Sequence, residues 1–170
     1  DGITGLGEVS CTPLWSGEDQ VSAAHFIAHV LGPVLIGEDP LDRSRLVSRM
    51  DGTLANNPFT KAAIEMALWD IAGKAAGQPL YRLLGGAVRE TVRTKYSVSG
   101  LEPAKAAALA VWAVEQGFTA MKGKVGIEPE ADLARVRAVR EAIGPEAMLG
   151  VDANGGWDAA TAARLLPALA

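Results

Sequence analysis

The sequence contains a single cysteine, Cys11, among 170 residues. No disulfide framework can form from it, and a reducing cytoplasm is the expected compartment. There is no excess of basic charge: 16 Lys and Arg stand against 20 Asp and Glu, for a net charge of -4 and a pI of about 5.2. That balance argues against nucleic acid or an anionic membrane as a partner. No apolar run reaches the roughly 20 residues of a membrane span, and no secretory leader pattern is present. The first residue is not Met, and "DGITGLGEVS" reads as a strand already under way, so further residues are expected before Asp1. What is present is ordinary globular composition, 49% hydrophobic and 21% charged. It is enough for a sizeable core in one domain or two small ones.

Residues Gly2 to Cys11 alternate weakly between turn glycines and suggest a strand edge or hairpin arm. Ser16 followed by Asp19 resembles a helix-start signal, for a helix running to Leu31 that Gly32-Pro33 disturbs. A second helix is expected over Leu41 to Met50. Asn57 and Pro58 suit the N-cap and first position of a third, in which Ile64, Leu68, Ile71 and Ala75 share one face and Gly77 closes the C-terminus. After Gly86 the pattern changes. "VRTKYSVSG", "FTAMKGK" and "AMLGVDAN" read as strands, each followed by a helical segment, and two of those helices open at Pro103 and Pro129. A strand-helix repeat of about thirty residues predicts a parallel sheet with helices packed against it. Three such units cannot close a barrel, which needs about eight, so the residues are expected to belong to a larger enzyme.

Functional groups in parallel α/β folds collect at the carboxyl ends of strands. Two predicted strand ends are unusually polar: Lys122 with Lys124, and Asp152 with Asn154. Spacing of i, i+2 puts each pair on one face. Phe118 and Ala120 in one strand, and Met148 and Gly150 in the other, continue the same alternation. Two neighbouring ammonium groups disfavour each other's protonation, so a lysine here can serve as a base near neutral pH. Asp152 offers a hard oxygen ligand for Mg²⁺, and a metal beside a lysine base suits abstraction of a proton next to a carboxylate.

Simpler readings stand beside this one. A Lys-x-Lys pair is commonly a solvated strand end, and Asp-Ala-Asn-Gly is commonly a turn. A phosphoacceptor aspartate or a metal-independent Schiff-base lysine also fits a strand end. The occurrence of both pairs at successive strand ends favours the metal-and-base reading. His25 and His29 lie i, i+4 on a helix but lack the glutamate of a H-E-x-x-H site, so packing or surface roles are expected. "GITGLG" is read as a turn, Glu65 and Asp70 as surface or ion-pair residues, Trp69, Trp112 and Trp157 as packing residues, and Cys11 as inert.

The segments "KAAIEMALWDIAGKAAGQPLYRLLGG", "MKGKVG" and "VDANGGW", in that order, resemble the mandelate racemase / muconate lactonizing enzyme family of the enolase superfamily. The Lys-x-Lys and Asp-x-Asn pairs point to the muconate lactonizing enzyme-like subgroup. The resemblance implies an α/β fold: a partial TIM-like (β/α) barrel, residues 91–170, preceded by an α+β capping domain, residues 1–90, with the chain cut at both ends. It implies Mg²⁺, a small carboxylate substrate, and removal of the proton alpha to that carboxylate to give an enediolate. By motif match, Lys124 is the general acid/base and Lys122 its partner. Asp152 is the first of three metal carboxylates, and Asn154 is a supporting polar group. The loop before Asn57-Pro58 would help choose the substrate. The family's remaining two metal carboxylates and its opposite-face lysine fall beyond Ala170. The implied activity is that of a cycloisomerase, or of a racemase or epimerase, in a cytoplasmic homo-oligomer. The Lys-x-Lys pair leans away from acid-sugar dehydratases. A non-catalytic binding or assembly relative, and a metal-independent lysine enzyme, are the competing expectations.

Overall fold

The structure is a computed structural model that describes residues 2–169. Its chain divides into two compact units, one ending at Glu90 and the other starting at Thr91.

The first unit is built from helices: α1 Pro13–Ser16, α2 Gln20–Phe26, α3 Gly32–Leu35, α4 Arg43–Thr53, α5 Pro58–Ala76 and α6 Leu80–Leu83. The start of α2 is set by Asp19, whose carboxylate accepts from the N–H groups of Val21 and Ser22 in a capping box closed by the Ser22 side chain. Ser16 instead closes the turn of α1, accepting from the Thr12 N–H and donating to the Thr12 carbonyl. The chain does not break at Gly32-Pro33. It widens into one π-helical turn, Ile27–Leu31, and continues as α3. The Gly32 N–H donates to the Ile27 carbonyl, and a Cβ at Gly32 would lie 2.7 Å from that oxygen. The wide turn thus carries the helix past a proline that cannot donate to the regular ladder.

Helix α5 is the spine of this unit, and Gly77 closes it in the left-handed conformation, with its N–H on the Gly73 and Lys74 carbonyls. Its expected apolar face is partly different. Leu68 is buried, Ile64 and Ile71 are half-buried, Ala75 is exposed, and Thr60, Ala63 and Gly73 are buried instead. Small residues turn inward because the N-terminal segment lies directly on the helix backbone. Gly5 and Gly7 approach the Ala67 and Ala63 carbonyls so closely that a Cβ at either would stand 2.1 or 1.8 Å away. The expected strand over Gly2 to Cys11 has no strand partner among the described residues. The segment instead lies against α5, where the Leu6 N–H donates to the Asp70 carboxylate at 2.8 Å. Nor is "GITGLG" a simple turn, since two of its glycines are the contact with α5.

The second unit is a three-stranded parallel sheet in the order β1 Tyr96–Val98, β2 Ala120–Lys124, β3 Met148–Asp152. Helices α7 Pro103–Glu115 and α8 Pro129–Ile143 make the two crossovers, and α9 Ala159–Leu165 follows β3. On α7 the buried positions are Ala106, Ala110 and Ala113, spaced for one helical face. They pack with Val98, Met121 and Val139, so small side chains bring this helix close to the sheet. Phe118 precedes β2 and packs in this core, its ring 5.3 Å from Tyr96, rather than sharing the face of the lysines. Trp112 meets the same tyrosine edge-on at 5.5 Å. No helix among the described residues is long and apolar enough to cross a membrane.

Candidate active site at the strand ends

Alternation along β2 places Met121 in the helix-covered core, 1% exposed, so Lys122 and Lys124 project from the opposite face. The parallel register sets Lys124 beside Asp152 and Lys122 beside Gly150. With no side chain on Gly150, Lys122 leans diagonally toward the strand's carboxyl end. Its ammonium donates to Asp152 Oδ2 at 2.8 Å, and Lys124 donates to the same oxygen at 2.9 Å. Lys124 also donates to Asn154 Oδ1 at 2.6 Å. The other Asp152 oxygen, Oδ1, accepts from the Asn154 N–H at 2.9 Å, which holds the turn after β3. Asn154 takes a left-handed φ of 47° there. The four residues singled out in the sequence thus form one hydrogen-bonded cluster, and the Asp-Ala-Asn-Gly turn is part of it.

The electrostatics differ from those expected of two lysines alone. Hydrogen bonds from Lys122, then Lys124, hold the Asp152 carboxyl well below the usual carboxylate range. The Asp152 carboxylate in turn pushes the Lys122 ammonium up. The ion pair, not repulsion between ammonium groups, sets the charge state of Lys122. Asp152 is a partly exposed hard-oxygen donor and suits one ligand position of a Mg²⁺ ion. No group of three or more His, Cys, Asp or Glu among the described residues is arranged around a common metal position. His25 and His29 lie with ring centroids 5.0 Å apart on the exposed side of the first unit and form no such centre.

Behind the cluster lies a buried polar network that local sequence reasoning misses. Asp132, in the first turn of α8, is 0% exposed, and Arg135 one turn on is 5% exposed. Asp132 Oδ2 accepts from the N–H groups of Gly126 and Ile127 and from Trp157 Nε1, while Oδ1 accepts from Arg135. Burial pushes the Asp132 carboxyl up, but the Arg135 guanidinium and the converging N–H donors outweigh it and hold the group below its ordinary value of 3.8. Arg135 also donates to the carbonyls of Leu101 and Lys124. The one sequence signal is the Asp-x-x-Arg spacing on a helix, which reads equally as a surface pair. Trp157, expected only to pack, is a hydrogen-bond donor to a buried carboxylate.

Comparison with known proteins gives the family of the chain. Residues 1–85 match the model of the mandelate racemase / muconate lactonizing enzyme N-terminal domain, and residues 105–170 match the enolase C-terminal domain-like model. The crystal structure of N-succinyl Arg/Lys racemase from Bacillus cereus is 35% identical with a TM-score of 0.94, over 97% of this chain and 45% of that one. A dipeptide epimerase from Cytophaga hutchinsonii, solved with Mg and D-Ala-L-Val, is 39% identical with a TM-score of 0.90, over 97% and 45%. Chloromuconate cycloisomerase from Cupriavidus pinatubonensis is 37% identical over 99% of this chain and 46% of its own length. The chain therefore spans less than half the length of these relatives. With both domain models matched in order and the strand-end cluster in place, the chain belongs to the mandelate racemase / muconate lactonizing enzyme family of the enolase superfamily.

Proposed function

We propose that this chain carries the proton-transfer side of a Mg²⁺-dependent active site that isomerises a small carboxylate by removing its alpha proton. The observation that carries the reading is the convergence of Lys122, Lys124 and Asn154 on Asp152 at the carboxyl ends of adjacent parallel strands. Relatives of this chain are a racemase, an epimerase and a cycloisomerase, and one was solved with Mg. Lys124, in its neutral form, takes the alpha proton onto Nζ. The C–H electron pair moves into the carboxylate to give an enediolate, and a proton returned to carbon completes the cycle. Lys122 places a second positive charge on the same side, which favours the anionic substrate and the enediolate. Asp152 is the metal ligand of this half, and Asn154 Oδ1 orients the Lys124 ammonium. When bound, Mg²⁺ supplies Lewis-acid stabilisation of the charge that develops on the substrate carboxylate.

The test is proton exchange in heavy water. Full-length protein with Mg²⁺ is incubated with N-acyl amino acids, dipeptides, betaines and muconolactones, and loss of the alpha-proton NMR signal is followed. Exchange on at least one class is expected, and Lys124→Ala is expected to slow it by at least about 10²-fold, the scale of general acid–base catalysis. Exchange that survives Lys124→Ala would refute the assignment.

A further inference from the structure

We infer that Asp132, Arg135 and Trp157 are positioning residues, which lock the loops after β1, β2 and β3 together and so fix where Lys124 meets Asp152 and Asn154. The inference rests on the reading of that cluster as the active site. Each contact ties a different loop to one point. Leu101, whose carbonyl accepts from Arg135, follows β1. Gly126 and Ile127, donating to Asp132 at 2.7 and 3.1 Å, follow β2, and Trp157, donating at 3.2 Å, follows β3. Arg135 also holds the Lys124 carbonyl at 3.1 Å, the peptide group from whose residue the ammonium projects.

The loops touch through their backbones as well. The Val125 N–H donates to the Asp152 carbonyl at 3.1 Å. A Cβ at Gly126 would lie 2.3 Å from the Ala153 carbonyl oxygen, and one at Gly156 would lie 2.1 Å from that of Gly126. Such an approach leaves no slack between the residues after Lys124 and those after Asp152.

A buried ion pair is a poor stability device, since an apolar replacement of similar size is commonly as stable. An apolar replacement cannot accept three N–H groups and donate to two carbonyls. What the pair supplies here is therefore position. Loss of position at a reacting centre is costly, with a displacement of about 1 Å able to cost about 10²-fold in rate.

The test uses full-length protein with Mg²⁺ and whichever panel carboxylate it exchanges. Trp157→Phe keeps an aromatic ring but removes the indole N–H and part of the ring volume, and Asp132→Asn keeps one acceptor oxygen but sets an amide N–H against Arg135. Both are expected to lower kcat for alpha-proton exchange about tenfold or more, with KM within about twofold. A kcat within about threefold of wild type in both variants, whatever their melting temperatures, overturns the inference. If the wild-type protein exchanges no carboxylate, the functional reading fails by itself, and amide hydrogen exchange then decides this one. In Trp157→Phe, exchange at residues 153–157 accelerated about tenfold while the β2–β3 ladder is unchanged supports the link, and no acceleration overturns it.

Discussion

Glu18 is 4% exposed and accepts three hydrogen bonds at the start of α5, from the Phe59 and Thr60 N–H groups and the Thr60 hydroxyl, at 2.8, 2.9 and 2.6 Å. It does the capping that Asn57 does not, since the Asn57 side chain donates back to the Ala55 carbonyl. A charge at an N-terminus is favoured by the free N–H groups and the helix dipole. Glu18→Ala is expected to destabilise the protein by about 2 kcal/mol in urea melts, the scale of a lost cap and of hydrogen bonds to a charge. Burial pushes the Glu18 carboxyl up, but the Thr60 and Phe59 donors outweigh it and hold the group below its ordinary 4.5. A carboxyl lowered on folding stabilises above its unfolded value and loses that contribution as pH falls through the folded one. The gap between wild type and Glu18→Ala is therefore expected at full size at pH 7 and to shrink below about pH 4.5. Residues such as Glu18 and Asp132 are illegible in sequence because their meaning lies in distant partners, Phe59 and Thr60 in one case and Trp157 in the other. The shared face of Lys122 and Lys124 was legible because a strand converts i, i+2 spacing into one face without any tertiary knowledge, whereas Asn154 lies past the end of β3 in a left-handed turn and reaches Lys124 through that turn.

At the scale of elements, prolines and glycines marked boundaries well where the rule is local. Pro58, Pro103 and Pro129 each open a helix, and Gly77 closes one. The rule failed where a second element decided the outcome. Gly2 to Cys11 has strand-like composition but rests on α5 through Gly5 and Gly7. At Gly32-Pro33 the local break signal yields a π-helical turn. Two substitutions separate packing from propensity. Gly7→Ala drives a Cβ to 1.8 Å from the Ala63 carbonyl, and it is expected to cost about 1–3 kcal/mol as overpacking does. Gly52 lies in α4 with nothing within 4 Å of an added Cβ. Gly52→Ala is expected to stabilise by about 0.4–1 kcal/mol, because Ala restricts the unfolded chain more and fits the helix. Opposite shifts of the two denaturation midpoints would bear out the contact, and equal shifts would refute it.

On the scale of the whole molecule, the parallel sheet brings the polar ends of β2 and β3 together, because every strand ends on the same side. The cluster at those ends holds two ammonium groups against one carboxylate, which leaves it one net positive charge in a chain whose net charge is -4. On the proposed reading, a positive cluster of this kind would favour an anionic ligand over a cationic one. It also separates the two lysine chemistries compatible with the sequence. A Schiff base needs only a neutral amine and a carbonyl substrate, whereas the proposed enediolate would carry negative charge that a bound Mg²⁺ would help to stabilise. Treating the full-length protein with EDTA is therefore expected to abolish alpha-proton exchange, and Mg²⁺ is expected to restore it. Exchange that persists in EDTA and is trapped irreversibly by borohydride on Lys122 or Lys124 would assign the lysines to imine chemistry, and Asp152 to holding them in place.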